Sequence, residues 1–275
     1  STVGSTSIED VASVCDGPKC FQIYVMKDRS LTREFIQRCK DSGFDSLALT
    51  VDLPVAGYRE RELRYGFTMP PKFNLAGIAG FAARPGWVYR TLTHPKAVLA
   101  NVVHKIPEGS SRNTSLMEYV ASQFDPSVTW KDLEWMIAEW GGPFAIKGIL
   151  SPADARKAVD CGVTAIMVSN HGGRQLDGTI SAFEALGPIV DEVGGECEII
   201  CDGGIRRGTH VIKALARGAT ACSMGRPYLF GLAAAGQAGV AKVLELLKAE
   251  IERDMQLIGC KSVAEIGEKH ILFDQ

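Results

Sequence analysis

The chain is expected to fold as an α/β barrel of repeated strand–helix units, and three observations carry that expectation. Short apolar runs such as Ala165-Ile166-Met167-Val168 alternate with amphipathic stretches of helix length, the pattern of a parallel sheet joined by right-handed crossovers. Polar residues capable of chemistry stand at the carboxyl ends of those runs, which is the catalytic face of such a barrel. The last two runs end in glycine–arginine loops, Asp202-Gly203-Gly204-Ile205-Arg206-Arg207-Gly208 and Gly225-Arg226, at the place where barrels bind phosphate.

In chain order, Ser7-Ile8-Glu9-Asp10-Val11 reads as a helix start with acids in its first turn. Phe21-Gln22-Ile23-Tyr24-Val25 reads as a strand whose period of two sends Gln22 and Tyr24 to the face opposite Phe21, Ile23 and Val25. A helix over Thr32 to Ser42 stops at Gly43, and Ser46 to Asp52 is the next strand. An insertion from Leu53 to Pro143 then interrupts the rhythm; loops of that length inside a compact domain are functional more often than not. Within it Met117 to Phe124 and Thr129 to Trp140 read as helices, the second capped by Thr129. Phe67 to Val103 mixes Phe81, Trp87 and Tyr89 with Arg84, Arg90 and Lys96 and carries almost no acid. That composition suits a bilayer-surface segment and equally a lid or subunit contact on the barrel rim.

Strand Phe144 to Gly148 resumes the alternation. It is followed by a helix from Ser151 to Cys161, the strand ending at Ser169, a helix around Ser181 to Val193, strand Glu198 to Asp202, a helix from Thr209 to Arg217, strand Ala221 to Met224 and a closing helix from Val240 to Leu257. Six complete strands are read, and Ser1-Thr2 fits the end of a seventh. A TIM (β/α)8 barrel whose amino-terminal units lie outside this chain is preferred over an open doubly wound sheet. The 275 residues suit one large α/β domain, with 53–143 as its insertion.

Composition narrows the class. The formal net charge of -2 and the lack of a basic tract argue against a nucleic-acid binder. Eight cysteines without a C-x-x-C pair or zinc spacing point to reduced thiols in an intracellular protein and to no metal site. No run of 18 uncharged apolar residues and no basic-then-apolar leader occurs, so neither a spanning helix nor a secretion signal is expected.

The chemistry centres on Ser169-Asn170-His171-Gly172-Gly173-Arg174-Gln175-Leu176-Asp177, which follows a buried-type strand. His171 and Arg174 set a titratable base and a fixed cation on one glycine turn, a site for an anionic substrate that must lose a proton. A purely structural turn is the bland alternative. Asp52, also at a strand end, is placed to orient and charge-stabilise His171; Arg59 follows it either as a second cation at the same mouth or, taken in isolation, as a solvated charge. Lys147 lies alone in an apolar run and demands an anionic partner: a phosphate, a carboxylate or an electron-rich cofactor ring, or else a structural pair with Asp52 or Asp202. Glycines in the two terminal loops free backbone N–H groups for phosphate oxygens, a helix start adds partial positive charge, and Arg206 and Arg226 add bidentate donors; a pair of structural glycine turns with surface arginines is the alternative.

The nine-residue histidine–arginine motif, with Asp202 to Gly208, Phe21-Gln22-Ile23-Tyr24 and Thr50-Val51-Asp52, resembles the FMN-dependent L-2-hydroxy-acid oxidase and dehydrogenase family along essentially the whole chain. The resemblance implies that His171 takes a proton from the hydroxy acid, with Asp52 as its charge partner, and that Arg174 clamps the substrate carboxylate. Arg59 and Tyr24 are similar to residues that help bind the acid and steady the transition state. Lys147 matches the lysine beside the flavin ring that stabilises its anionic reduced form. Ser1, Gln22, Thr50 and Ser169 match ring contacts, and Asp202, Gly204, Arg206, Gly225 and Arg226 match ribityl and phosphate contacts. Val3 and Ala56 stand where glycolate-using members carry larger groups, so lactate or a larger acid such as mandelate is the implied substrate. The family's amino-terminal region, with another substrate-binding tyrosine, has no counterpart here.

The segment from Phe67 to Val103, with His94-Pro95-Lys96, is similar to the membrane-associating segment of bacterial lactate and mandelate dehydrogenases. It implies a peripheral enzyme on the inner face of the cytoplasmic membrane that passes electrons to quinone, with a homotetramer as the family assembly. The competing readings are a soluble oxidase producing hydrogen peroxide, a flavin-free phosphate-binding barrel, and a non-catalytic scaffold.

Overall fold

The computed structural model describes residues 1–55, 57–65, 74–93, 99–105 and 122–272. The chain divides into two compact units, one of Ser1–Ala48 with Leu53–Asp132 and one of Leu49–Asp52 with Leu133–Gln275. Strand order follows chain order, β1-β2-β3-β4-β5-β6 in a six-stranded sheet, an α/β arrangement in which each described strand of the second unit pairs in parallel with the next.

The first unit holds α1 (Ile8–Ser13), β1 (Cys20–Ile23), α2 (Arg29–Asp41) and the start of β2 (Ser46–Thr50). Helix α1 starts where Ser7 accepts a hydrogen bond from Asp10 N–H. Helix α2 begins three residues before the expected Thr32 because Asp28 caps it through Ser30 N–H. Its buried stripe of Leu31, Thr32, Phe35, Ile36 and Cys39 has the spacing of one helix face, and Phe21 packs on Phe35 and Phe44 with ring centroids 6.2 and 6.1 Å away.

The insertion carries more helix than its glycine and proline content announces: α3 (Glu60–Arg64), α4 (Leu75–Ala82) and α5 (Pro85–Thr93). Asn74 caps α4 through Gly77 N–H, and Pro85 stands at the first position of α5, where its fixed φ suits a helix start. The expected helix over Met117 to Phe124 falls mostly on residues 106–121, outside the described residues, as do Ala56 and His94-Pro95-Lys96.

In the second unit α6 (Trp130–Trp140), which begins in the first, leads to β3 (Phe144–Ile149), α7 (Pro152–Asp160), β4 (Ala165–Ser169), α8 (Ala182–Val193), β5 (Glu198–Asp202), α9 (Gly208–Ala216), β6 (Ala221–Ser223) and α10 (Arg226–Leu257). At the start of α6 the capping runs opposite to expectation: the Asp132 carboxylate accepts from Thr129 N–H and Oγ. Ser151 caps α7, and Ser181 with Glu184 forms a reciprocal capping box on α8. Burial alternates along the strands, Ile166 and Val168 on β4 and Ile199 and Cys201 on β5 lying on one buried face; Ile146 of β3 is buried too, as are Ala155, Ala158, Leu186, Ile189 and Ile212 on the helices.

The last helix departs most from the sequence reading. It starts at Arg226 rather than Val240 and breaks at Ala235 and Gly236, whose backbone is not helical. Gly231 and Gly239 meet across that break, where a Cβ on Gly239 would lie 1.9 Å from the Gly231 carbonyl oxygen. By length and composition alone this helix could cross a membrane, although no spanning stretch was expected. Its apolar half is 226–240, with charges from Lys242 onward, so a tally of uninterrupted apolar residues passes it over. Parallel pairing sets Cys201 beside Cys222, and burial pushes their thiols up to about 11 and about 12.

Replacing Ser181 by Ala removes half of the capping box. It is expected to cost about 1 kcal/mol and to lower the melting temperature by a few degrees, about 2–4 °C, as read by thermal denaturation followed by circular dichroism.

Candidate active site

The carboxyl ends of β3, β4 and β5 meet in one partly buried polar cluster around the buried Ser169. Lys147 Nζ lies 2.9 Å from Asp202 Oδ2 and donates to Ser169 Oγ at 2.8 Å. Ser169 Oγ in turn donates to Asp202 Oδ2 at 2.6 Å and accepts from His171 N–H at 3.0 Å. The hydroxyl thus uses its one proton and both lone pairs. Of the two structural partners open to Lys147, the structure selects Asp202. Burial works against the Asp202 carboxylate, but Lys147 and the hydrogen bonds from Ser169, Lys147 and Ser223 outweigh it and hold the group below its ordinary range.

His171 sits on the following turn at φ 56, the one non-glycine residue with positive φ among the described residues. That strained backbone turns the imidazole toward Asp52, with Nδ1 2.9 Å from Oδ1. A carboxylate accepts only, so Nδ1 carries the proton and Nε2 presents a lone pair to a substrate. Gln175, quoted in the motif without a role, donates from Nε2 to the Asp52 carbonyl at 2.9 Å. Asp52 Oδ2 is buried with no hydrogen-bond partner among the described residues.

Gly148 is the site residue that sequence reasoning passed over. It stands at φ 107 where the β3–β4 register shifts between Lys147 and Ile149. A Cβ there would lie 2.7 Å from Asp52 Cβ, so only glycine lets Asp52 close on the strand. A glycine inside a strand pattern is a signal for such a bulge, and Lys147-Gly148 displays it.

Gly203 and Gly204 take φ 115 and 76 after β5. Space around Gly204 and Gly225 is open, with nothing within 4 Å of an added Cβ, and Arg226 donates from Nη2 to the Gly172 carbonyl, bringing the final loop to the histidine–arginine turn. The expected helix-start contribution is reduced: the Glu250 carboxylate binds Gly208 N–H at 2.8 Å and Arg207 Nη1 at 2.8 Å, occupying the amino end of α9. Two open glycine turns, Arg206, Arg226 and the Lys147 cation fit a flavin mononucleotide, an anion at one end and an electron-accepting ring at the other.

Asp52, Thr50, Lys147, Ser169, His171, Arg174, Asp202, Gly204, Arg206, Gly225 and Arg226 all belong to the second unit. Ser1, Gln22, Tyr24 and Arg59 belong to the first. There Ser1 Oγ donates to Gln22 Oε1 at 2.6 Å, Tyr24 is buried edge-on to Phe124 at 5.2 Å, and Arg59 lies 3.6 Å from Glu62.

Replacing Asp202 by Asn leaves Lys147 without its partly buried counter-charge and is expected to cost about 2 kcal/mol at neutral pH, below the figure for a fully buried pair. The lowered carboxyl contributes stability above the ordinary aspartate range, and that stability is lost as pH falls through its folded value. The gap between wild type and variant in urea unfolding is therefore expected to narrow as pH falls below the ordinary aspartate range.

Residues 1–272 match the FMN-dependent dehydrogenase family. The chain is 44% identical over 270 residues to an L-lactate oxidase from Nostoc sp., covering 97% of this chain and 68% of that protein. It is 43% identical over 277 residues to an L-lactate dehydrogenase from Pseudomonas aeruginosa, covering 97% and 70%. Among solved structures, the monotopic membrane protein (S)-mandelate dehydrogenase superposes with a TM-score of 0.91 at 36% identity, over 98% of this chain and 71% of that one. The fold is accordingly that of the TIM-barrel flavoenzymes, and the chain belongs to the family of FMN-dependent dehydrogenases.

Proposed function

We propose that the protein oxidises an L-2-hydroxy acid, L-lactate or a larger acid such as mandelate, to the 2-oxo acid, and that a membrane quinone takes the electrons. The observation that carries the chemistry is the His171–Asp52 pair at 2.9 Å on the turn that also holds Arg174. When bound, FMN supplies the two-electron acceptor. Arg174, with Arg59 and Tyr24, binds the carboxylate bidentately and presents the hydroxyl to His171 Nε2. His171 takes the hydroxyl proton, and Asp52 holds the ring's tautomer and stabilises the imidazolium that forms. Lys147 supplies the cation beside the isoalloxazine, and Ser1, Gln22 and Thr50 bind the ring; Ser169, expected to join them, has its hydroxyl fully engaged by Lys147, Asp202 and the His171 amide and reaches the ring only by giving up one of these partners. Asp202, Gly204, Arg206, Gly225 and Arg226 bind the ribityl chain and phosphate.

The relatives are named both oxidase and dehydrogenase, so the acceptor rests on the insertion. There Leu75, Ile78, Trp87, Tyr89 and Leu92 of α4 and α5 are exposed, and Phe81 stacks on Trp87 at 5.3 Å. Exposed aromatic and aliphatic groups on helices with arginines suit a bilayer surface, and the (S)-mandelate dehydrogenase with the same fold is monotopic. The reading places the enzyme peripherally on the inner face of the cytoplasmic membrane, as a homotetramer.

Anaerobic addition of L-lactate or L-mandelate to the FMN-loaded protein is expected to bleach the flavin absorbance, with a soluble quinone restoring it faster than oxygen does. His171→Asn is expected to slow bleaching by about 10²–10⁴-fold with FMN still bound. A loaded protein that no acid in an L-2-hydroxy-acid panel reduces would overturn the substrate, and faster recovery with oxygen would overturn the acceptor.

Exchange of 67–103 for a short glycine-rich loop is expected to release the protein from membrane fractions while flavin reduction persists. Unchanged sedimentation with membranes would refute the anchor.

A further inference from the structure

We propose that His210 is a positioning residue for the cofactor phosphate: its neutral ring fixes Arg206, and protonation of that ring loosens FMN. The inference rests on the assignment of Arg206 to the phosphate.

The loop from Gly203 to Arg207 joins β5 to α9 and is tied down at few points. Ile205 is buried, Gly208 N–H is held by Glu250, and His210 N–H donates to the Arg207 carbonyl at 3.1 Å. The Arg206 backbone is fixed by a side chain, its N–H donating to His210 Nδ1 at 3.1 Å. An imidazole nitrogen accepts only when it carries no proton, so this bond requires neutral His210 with its proton on Nε2. Protonation sets an Nδ1–H against the Arg206 N–H, and a hydrogen bond becomes a clash of two donors. The amide is released, and the guanidinium beyond it loses its fixed approach to the phosphate.

The loop and α9 carry Arg206, Arg207 and Lys213, and Glu250, Arg253 and Asp254 lie on α10, which packs against α9. Glu250 is engaged by Gly208 and Arg207, and Arg253 pairs with Asp254. From the short helix Glu268–His270, Glu268 pairs with Arg217 and His270 with Cys260. Among the described residues no carboxylate pairs with the His210 ring, so the Arg206 amide is the partner that protonation displaces.

The test is FMN release from the loaded full chain, read as the rise in free-flavin fluorescence after dilution, from about pH 8 to about pH 5, across the range where histidines protonate. Wild type is expected to release FMN about tenfold faster at the acid end. His210→Asn keeps an acceptor that does not titrate, so its release is expected to be slow and to lose that acid rise. His210→Ala, which has no acceptor, is expected to release FMN fast at every pH. Riboflavin, which lacks the phosphate, is expected to bind wild type and both variants alike. Parallel pH profiles for wild type and the Asn variant overturn the proposal, as does wild-type retention by the Ala variant; if the Ala variant does not fold, the Asn profile decides. Arg206→Gln separates the two readings. Unchanged FMN retention in that variant sinks the phosphate assignment itself, whereas weakened retention with silent His210 variants sinks only the role of His210.

Discussion

The second unit depends on one largely shielded ion pair, Lys147 with Asp202, bridged by the buried Ser169 at the carboxyl ends of three neighbouring strands. Taking an ammonium and a carboxylate out of water is costly, and the cost is recovered only when geometry is good and the remaining donors and acceptors are satisfied. Strand register provides that geometry, because Ser169 and Asp202 are direct partners in the β4–β5 ladder. A slip of one residue would send Ser169 to the opposite face and leave two charges buried without a bridge. The polar cluster therefore penalises every register but the native one.

The same economy of space governs Asp52. It reaches His171 because β3 bulges at Gly148 and leaves no room for a Cβ between them. His171 accepts a left-handed backbone in return for two fixed contacts, its amide on Ser169 and its ring on Asp52. A base held this way loses little freedom when substrate arrives, which is what preorganisation requires. The base and the buried cation share one hydroxyl, so their positions are set together.

Much of this was legible beforehand, for identifiable reasons. The six strands are apolar runs bounded by turn residues, and their ends fell within one to three residues of expectation since buried parallel strands carry an uninterrupted signal. The helices over 152–160, 182–193 and 208–216 were equally plain, although the serine caps of the first two emerge only in the structure. The early start and break of the last helix were not, because Gly231, Gly236 and Gly239 read as loop in isolation and earn their place only through a close backbone crossing. In the site, the residue types and strand ends were readable, but the choice of Asp202 over Asp52 for Lys147 was not, since pairing across strands is a matter of register. The engagement of Glu250 with the start of α9 was hidden for a similar reason: the two groups are 42 residues apart.

The paired thiols on β5 and β6 bear on durability. Reaction with peroxides and electrophiles runs through the thiolate, and a group held near 11, as Cys201 is, is ionised to only about one part in ten thousand at neutral pH. A flavoprotein works beside reduced cofactor and dissolved oxygen, the conditions that generate such oxidants. The sheet beneath its reaction centre is thus lined with sulfur that oxidants attack slowly, and the scaffold is expected to age more slowly than its exposed sulfur.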